Sequence, residues 1–237
     1  LTKNSRTTDN LSVVIPAAGQ GLRMGAKVPK QFIELNGKPI IHHTIAIFEA
    51  LDWVDTIILC VPKEEVSHVQ KEMANQTKVK VAIGGEKRQD SVYNGLKAVG
   101  KNSGFVAVHD GVRPFITEDL IKTVFEGAKK FGAAVAAIPM NDTLKRADKE
   151  GLLQENVERE NLWRMQTPQI FRTELLLEAM EKAQSERFYG TDEGSLLQFI
   201  GKPVKFILGS EFNIKITRPE DLALGEWIFS LNRSNLK

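Results

Sequence analysis

Cysteine is almost missing from this sequence: Cys60 stands alone among 237 residues. No internal disulfide can form, which excludes a disulfide-stapled scaffold, and the surrounding run IILCV reads as the interior of a buried strand rather than a redox centre. Long apolar runs are missing too. No stretch approaches the roughly 18 residues needed to span a bilayer, and the opening LTKNSRTTDN has no apolar core of a secretory signal. A cytoplasmic protein without membrane contact is the expectation. Charge of one sign is also scarce: 32 Lys and Arg against 30 Asp and Glu leave a net charge of +2, which argues against a general nucleic-acid or membrane-surface binder. Local basic clusters can still meet phosphate, so the expected partner is small. With no internal repeat, low-complexity tract or domain linker, the chain reads as a single domain, 1–237, and its 42% hydrophobic and 26% charged residues exclude disorder.

What is present is an alternation. Short β-branched runs (LSVVIP, DTIILCVP, VKVAIGG) alternate with the amphipathic stretches PIIHHTIAIFEAL and EEVSHVQKEM. The rhythm continues through RQDSVYNGLKAV, FVAVHD, DLIKTVFEGAKKF and AAVAAIP. Nearly continuous apolar strands imply a sheet covered on both faces, so the expected fold class is α/β, a Rossmann-like doubly wound, mostly parallel sheet. The rhythm breaks after Pro139. Residues 141–161 are polar, with a short alternating run on each side of Asp148 to Gly151, which predicts a protruding β-hairpin arm. Helical signals return at Thr173, read as a cap, and at Thr217, where TRPE places Pro in the first turn and Glu three residues after Thr.

The first strand runs straight into AAGQGLRMGAKVPKQF. A glycine-rich loop therefore sits at the carboxyl end of the first parallel strand, where α/β sheets bind ligands. Gly19 and Gly21 can bring backbone N–H groups against phosphate oxygens, and Arg23, Lys27 and Lys30 supply charge. The loop is not a Walker A motif, and Met24 breaks the dinucleotide fingerprint; standing alone it reads equally well as a tight turn with surface cations. In VHDGVRPF, Asp110 ends a parallel strand with nothing obvious to neutralise it, and a carboxylate facing a polyphosphate there needs a cation such as Mg²⁺. An Asp110 to Arg113 structural pair is the competing reading. His109 reads as a packed strand-end residue. Lys215, in the run NIKITRP read as a strand, leaves the apolar face to which Ile214 and Ile216 belong.

The segments PAAGQGLRM, PKQF, GGEKRQDSVYNGL, VHDGVRPF, NDTLKR, VERENLWRMQTPQ, TDEGS and FNIKITRPEDL follow in order from Val13 to Leu222. Together they resemble the 2-C-methyl-D-erythritol 4-phosphate cytidylyltransferases of isoprenoid precursor synthesis. The resemblance implies transfer of a cytidylyl group from CTP to methylerythritol phosphate, with release of pyrophosphate and with Mg²⁺ as cofactor. It implies that Arg23 and Lys30 stabilise the transition state and that Pro16, Ala17, Ala18, Gly19 and Gly21 line the phosphate cradle. Gly85 and Ser91 match positions around cytosine and ribose, and the competing reading of Ser91 is a helix-start residue satisfying local amides. Asp110 would hold the metal, Gly111, Arg113 and Thr167 would join the ligand-binding set, and Lys215 would position the acceptor phosphate. Thr143 and Arg159, on the arm, match residues that contact the acceptor in the other subunit, so the resemblance implies a homodimer with shared sites.

Two departures bear on loop geometry. Val112 adds bulk where the family often has alanine, and TDEGS replaces the commoner TDDAS, so that Gly194 is expected to loosen the turn after Thr191. Two other functions stay open at this stage. Ribitol-5-phosphate cytidylyltransferase shares the CTP half of the pattern but differs in the acceptor half, where NDTLKR and VERENLWRMQTPQ favour methylerythritol phosphate. A nucleotide-binding regulator or an NAD-dependent dehydrogenase is disfavoured by the cations Arg23, Lys30 and Lys215 and by the broken fingerprint.

Overall fold

The computed structural model describes residues 10–19, 30–100 and 103–231, and every structural statement below concerns these. The strand β1 (Leu11–Pro16) leads through the small pair β2 (Glu34–Leu35) and β3 (Lys38–Pro39) and helix α1 (Ile40–Glu49) to β4 (Val54–Val61). Next come α2 (Val66–Glu72), β5 (Val79–Ile83), α3 (Arg88–Val99), β6 (Phe105–Val108), α4 (Glu118–Phe131) and β7 (Ala133–Pro139). The chain ends with β8 (Leu144–Ala147), β9 (Leu153–Val157), β10 (Trp163–Arg172), α5 (Thr173–Ser185), α6 (Glu193–Phe199), β11 (Lys205–Leu208) and α7 (Pro219–Ser230).

The main sheet runs β11-β7-β10-β6-β1-β4-β5. β10 is antiparallel to β6 and β7, and the other pairs are parallel, so the mostly parallel sheet read from the sequence is the one that forms. From β1 the chain winds outward to β4 and β5, then crosses back to β6 on the opposite side of β1. The switch point therefore lies between β1 and β6, where their loops splay apart at the carboxyl edge and leave a crevice for a ligand.

Strand alternation explains the two covered faces. Val13, Ile15, Ile57 and Leu59 pack on one side with Ile45 and Phe48 of α1 and Val124 and Phe125 of α4. Val14, Ile58 and Cys60 pack on the other with Val92 and Leu96 of α3 and Met180 of α5. Each such aliphatic side chain contributes about 1.5–3 kcal/mol by leaving water. Burial pushes the Cys60 thiol up to about 12, which keeps it protonated and inert. A third cluster joins Leu35, Ile40, Val112, Phe115, Ile216 and Ile228, seating α7 beneath the loop that follows β6. The bulk of Val112 thus goes into this core.

Helix ends show where sequence signals hold and where they fail. α4 is capped by Thr117, whose side chain accepts from the Leu120 amide, with Glu118 and Asp119 in the first turn. Thr173 is not a cap. It is the first residue of α5 behind Arg172, and its hydroxyl is buried without a hydrogen-bond partner. At α7 the reciprocal acid is Asp221, not Glu220: its Oδ2 accepts from the amides of Thr217 and Arg218 and from the Thr217 hydroxyl. The Thr191 turn is not loosened, because Asp192 and Ser195 cap α6 reciprocally and the Gly194 amide donates to Gln169.

β8 and β9 pair antiparallel as a separate two-stranded sheet. Their connection is closed by Asp148, whose Oδ1 accepts from the amides of Glu150 and Leu152. Leu152 and Leu153 leave about two thirds of their surface exposed, at 66% and 64%.

Candidate active site

Three carboxyl-edge loops meet around the switch point. After β1, the Ala17 amide donates to the Cys60 carbonyl (2.8 Å), and the Ala17 carbonyl accepts from Gln31 Nε2 (2.6 Å). After β5, Gly84 lies so close to the first loop that a Cβ there would sit 2.4 Å from Ala18 Cβ. Only glycine permits this approach. Ser91, at the start of α3, is buried; its Oγ accepts from the Gly85 amide (2.9 Å) and donates to the Lys87 carbonyl (3.1 Å). Gly85 and Ser91 are thus brought together, with the Ser91 hydroxyl satisfying local backbone groups.

After β6 comes the charged centre. Asp110 has three cationic partners: Lys215 Nζ at 2.8 Å, Arg88 Nε at 3.1 Å and Arg113 Nε at 3.7 Å. The expectation that nothing neutralises Asp110 is therefore corrected. Its partners come from 22 and 105 residues away in sequence as well as from its own turn, a convergence only the fold creates. Burial acts to raise the Asp110 carboxyl, but the charges of Arg88, Lys215 and Arg113 outweigh it and hold the group well below the usual carboxylate range. It is ionised at any physiological pH.

Arg88 is the link the sequence reading missed. Besides Asp110 it grips Glu193, with Nη1 donating to Oε1 at 2.8 Å and Oε2 at 3.0 Å. The Glu193 side chain is only 1% exposed, and burial raises its carboxyl above the ordinary value despite the facing guanidinium. Nothing in TDEGS signals this partner. The acid at the first position of α6 looks like an ordinary helix-start charge.

Arg113 is nearly buried, and burial lowers it from its ordinary value. Its Nη1 donates to the Asn213 carbonyl (2.6 Å) and its Nη2 to that of Met165 (3.5 Å), so it ties the Asn213 loop and β10 to the Asp110 turn. His109 is packed as expected, and burial lowers it to about 4. Its Nε2 faces the Arg113 carbonyl at 3.1 Å, which can only accept, so this nitrogen carries the proton. Its Nδ1 then accepts from the Thr167 hydroxyl at 3.1 Å, and the same hydroxyl accepts from the Asp110 amide at 3.0 Å. Thr167 is thereby placed at the base of the Asp110 turn. The neighbouring Gly111 has no space for a side chain, since a Cβ would come 2.6 Å from Ile41 Cδ1.

Lys215 does not lie on a strand. Residues 210–217 form an irregular loop that joins the body through a backbone bond from Ile216 to Val112 (2.9 Å) and through side chains. Thr143 and Arg159 flank the arm strands. The Arg159 guanidinium donates to the Asn141 carbonyl and lines a cavity of about 410 Å³ with Pro139, Met140, Leu162 and Trp163. Among the described residues no hydrogen bond or ion pair joins either residue to the Asp110 cluster of the same chain.

A sequence model of the IspD family, 2-C-methyl-D-erythritol 4-phosphate cytidylyltransferase, matches residues 11–231. The chain belongs to this family. A relative of that name from Halalkalibacterium halodurans is 47% identical over 223 residues, covering 92% of this chain and 96% of the relative. One from Clostridioides difficile is 42% identical, covering 94% of each. The crystal structure of the Thermus thermophilus 2-C-methyl-D-erythritol 4-phosphate cytidylyltransferase superposes with a TM-score of 0.80 at 33% identity, covering 94% of this chain and all of that one.

Of the residues that likeness to 2-C-methyl-D-erythritol 4-phosphate cytidylyltransferases singles out, Pro16 to Gly19, Gly85, Ser91, Asp110, Gly111, Arg113, Thr167 and Lys215 fall at the carboxyl edge or in the loops joined to it. Gly21 and Arg23 lie outside the described residues, as does the Lys30 side chain, whose backbone opens the short 3-10 turn Lys30–Phe32. Among the described residues no group of three or more His, Cys, Asp and Glu could hold a metal by itself. A single carboxylate beside a triphosphate nevertheless suits Mg²⁺, which keeps several waters and takes further oxygens from phosphate. Asp110 fits that role with the nucleotide in place. Among the described residues no helix is long and apolar enough to cross a membrane.

Proposed function

We propose that this chain transfers the cytidylyl group of CTP to 2-C-methyl-D-erythritol 4-phosphate, giving CDP-methylerythritol and pyrophosphate in the non-mevalonate route to isoprenoid precursors. The observation that carries the reading is the Asp110–Lys215 pair, set at the sheet's switch point beside the Ala17–Gly19 loop in a chain of this family. A phosphate oxygen of the acceptor attacks the α-phosphorus of CTP, a new P–O bond forms, and the bond to pyrophosphate breaks. Negative charge gathers around one phosphorus. Lys215, the most exposed of the three cations facing Asp110, exchanges its carboxylate for the acceptor phosphate, while Arg88 and Arg113 keep Asp110 ionised. Asp110 then faces the triphosphate and would hold Mg²⁺, which neutralises charge on the phosphate oxygens. Arg23 and Lys30 supply the remaining positive charge at the transition state, and removal of one such contact costs about a hundredfold to a thousandfold in rate.

The Gly84–Gly85 turn and Ser91 present backbone groups to the cytosine edge and leave no room for a purine. The 141–161 arm exchanges between subunits, so that Thr143 and Arg159 of one chain complete the acceptor site of its partner in a homodimer of single-domain subunits. The reaction is read as cytoplasmic, where CTP is available, with no role for nucleic acid. Pyrophosphate release, followed with CTP, UTP and GTP and with methylerythritol phosphate or ribitol 5-phosphate as acceptor, tests the reading. The CTP and methylerythritol phosphate pair should react fastest; comparable release from GTP, or preference for ribitol phosphate, overturns it.

A further inference from the structure

The loop that carries Lys215 has no strand to hold it, yet Lys215 Nζ reaches Asp110 at 2.8 Å. What fixes the loop is a set of buried amides. Asn213, fully buried, donates through Nδ2 to the Thr167 carbonyl (2.9 Å), and its own carbonyl accepts from Arg113 (2.6 Å). Gln166 clasps the same loop from β10, with Nε2 donating to the Ser210 carbonyl (2.7 Å) and Oε1 accepting from the Ser210 amide (3.3 Å) and from Asn213 Nδ2 (3.3 Å). Gly209 makes the clasp possible, since a Cβ there would fall 2.2 Å from Gln166 Oε1.

These bonds meet on common ground. Thr167 supports the Asp110 amide through its hydroxyl and Asn213 through its carbonyl, while Arg113 ties the Asp110 turn to the carbonyl of Asn213. Both members of the Asp110–Lys215 pair are thus referenced to the same stretch of β10. The Asn213 side chain holds the loop through its donor alone: Nδ2 is paired, whereas Oδ1 is buried without a hydrogen-bond partner and loses its hydration. The other anchors of residues 210–215 are looser: Glu211 pairs with Arg164 at the exposed surface, and Phe212 and Ile214 pack only partly against the third core cluster.

We propose that Asn213 is a positioning residue for Lys215, with Gln166 as its second clamp, and that it acts on the reaction through that lysine alone. The proposal rests on Lys215 serving cytidylyl transfer as described above. Misplacing a reacting group by about 1 Å can cost on the order of a hundredfold in rate, so Asn213→Ala should lower kcat by roughly 10- to 100-fold and leave KM for CTP nearly unchanged.

A double-mutant cycle decides the matter, since residues acting as one unit give non-additive losses. In the full-length dimer, Asn213→Ala should cost less than about twofold once Lys215→Ala is present. Equal fold losses in both backgrounds, or full activity in Lys215→Ala, overturn the proposal. If Asn213→Ala does not fold, Gln166→Ala carries the same cycle and the same two outcomes. Amide hydrogen exchange gives a readout independent of activity: Asn213→Ala should speed exchange across residues 210–217 and leave α4 unchanged, and an unaltered Ile216 amide contradicts the proposal. If the wild-type chain releases pyrophosphate from CTP but the cycle is additive, the positioning role fails alone. If it releases none, the activity fails and the exchange result still judges the placement.

Discussion

Removing Arg88 tests how far the buried charges depend on one another. Arg88→Met keeps most of the side-chain length but leaves Glu193, 1% exposed, without the guanidinium that meets both of its oxygens at 2.8 and 3.0 Å. Stripping one partner from a buried pair costs about 3–5 kcal/mol. Arg88 itself is 33% exposed, so water can reach the vacated position and about 3 kcal/mol is expected. The loss should depend on pH with a definite sign. Burial already raises Glu193, and without Arg88 it rises further; the folded variant then binds a proton that the unfolded chain has released, so its stability falls as pH rises above the ordinary glutamate range. Urea denaturation of wild type, Arg88→Met, Glu193→Gln and the double variant at about pH 7.5 and pH 5 gives the full cycle. Arg88→Met should be weakest at the higher pH and recover toward the lower one, and Glu193→Gln should remove most of the penalty. A loss under about 1 kcal/mol, or one unchanged by Glu193→Gln, would show that the two buried charges do not depend on each other.

Three further expectations follow from the same geometry. His109 is held near 4 in the fold against 6.5 for the free imidazole, so its contribution is complete above 6.5 and is lost as pH falls toward 4; at about 1.4 kcal/mol per pH unit the loss is about 3 kcal/mol. Denaturation midpoints between those limits should show this slope in wild type and not in His109→Asn, and a shared slope contradicts the assignment. Gly84→Ala, which drives a Cβ to 2.4 Å from Ala18, should raise KM for CTP at least tenfold while the chain stays folded; an unchanged KM removes the glycine turn from the nucleotide site. Finally, Lys215→Ala and Arg159→Ala dimers should each be nearly inactive. After subunit exchange about half the dimers are mixed, and roughly a quarter of wild-type activity should return; no recovery, with exchange confirmed, excludes sites shared between subunits.

The strands buried on both faces were legible in the sequence because a two-sided core leaves no polar alternation to confuse the reading, as in β1, β4 and β7. β10 was hidden for the opposite reason. Gln166, Thr167 and Gln169 are buried yet polar, and their partners are distant loops, so the run looks like no standard strand. β11 is an edge strand with Phe206 and Leu208 exposed, which blurs its pattern in the same way. Lys215 had the alternation of a strand without a neighbour to pair with. Motif residues pointed to Asp110, Lys215 and the glycine loop as the candidate site, whereas Arg88, Glu193 and Asn213 escaped notice because each is defined by a partner 22 or more residues away, and local sequence carries no trace of such pairs.

In the proposed reaction an acceptor phosphate oxygen displaces pyrophosphate from the α-phosphorus of CTP. Phosphorus NMR of the products formed from CTP and methylerythritol phosphate labelled with oxygen-18 in its phosphate tests this most directly. Labelled oxygen should bridge the two phosphorus atoms of CDP-methylerythritol, and pyrophosphate should be free of label. Label in the pyrophosphate, CMP in place of the diphosphate product, or CTP left unchanged would contradict it.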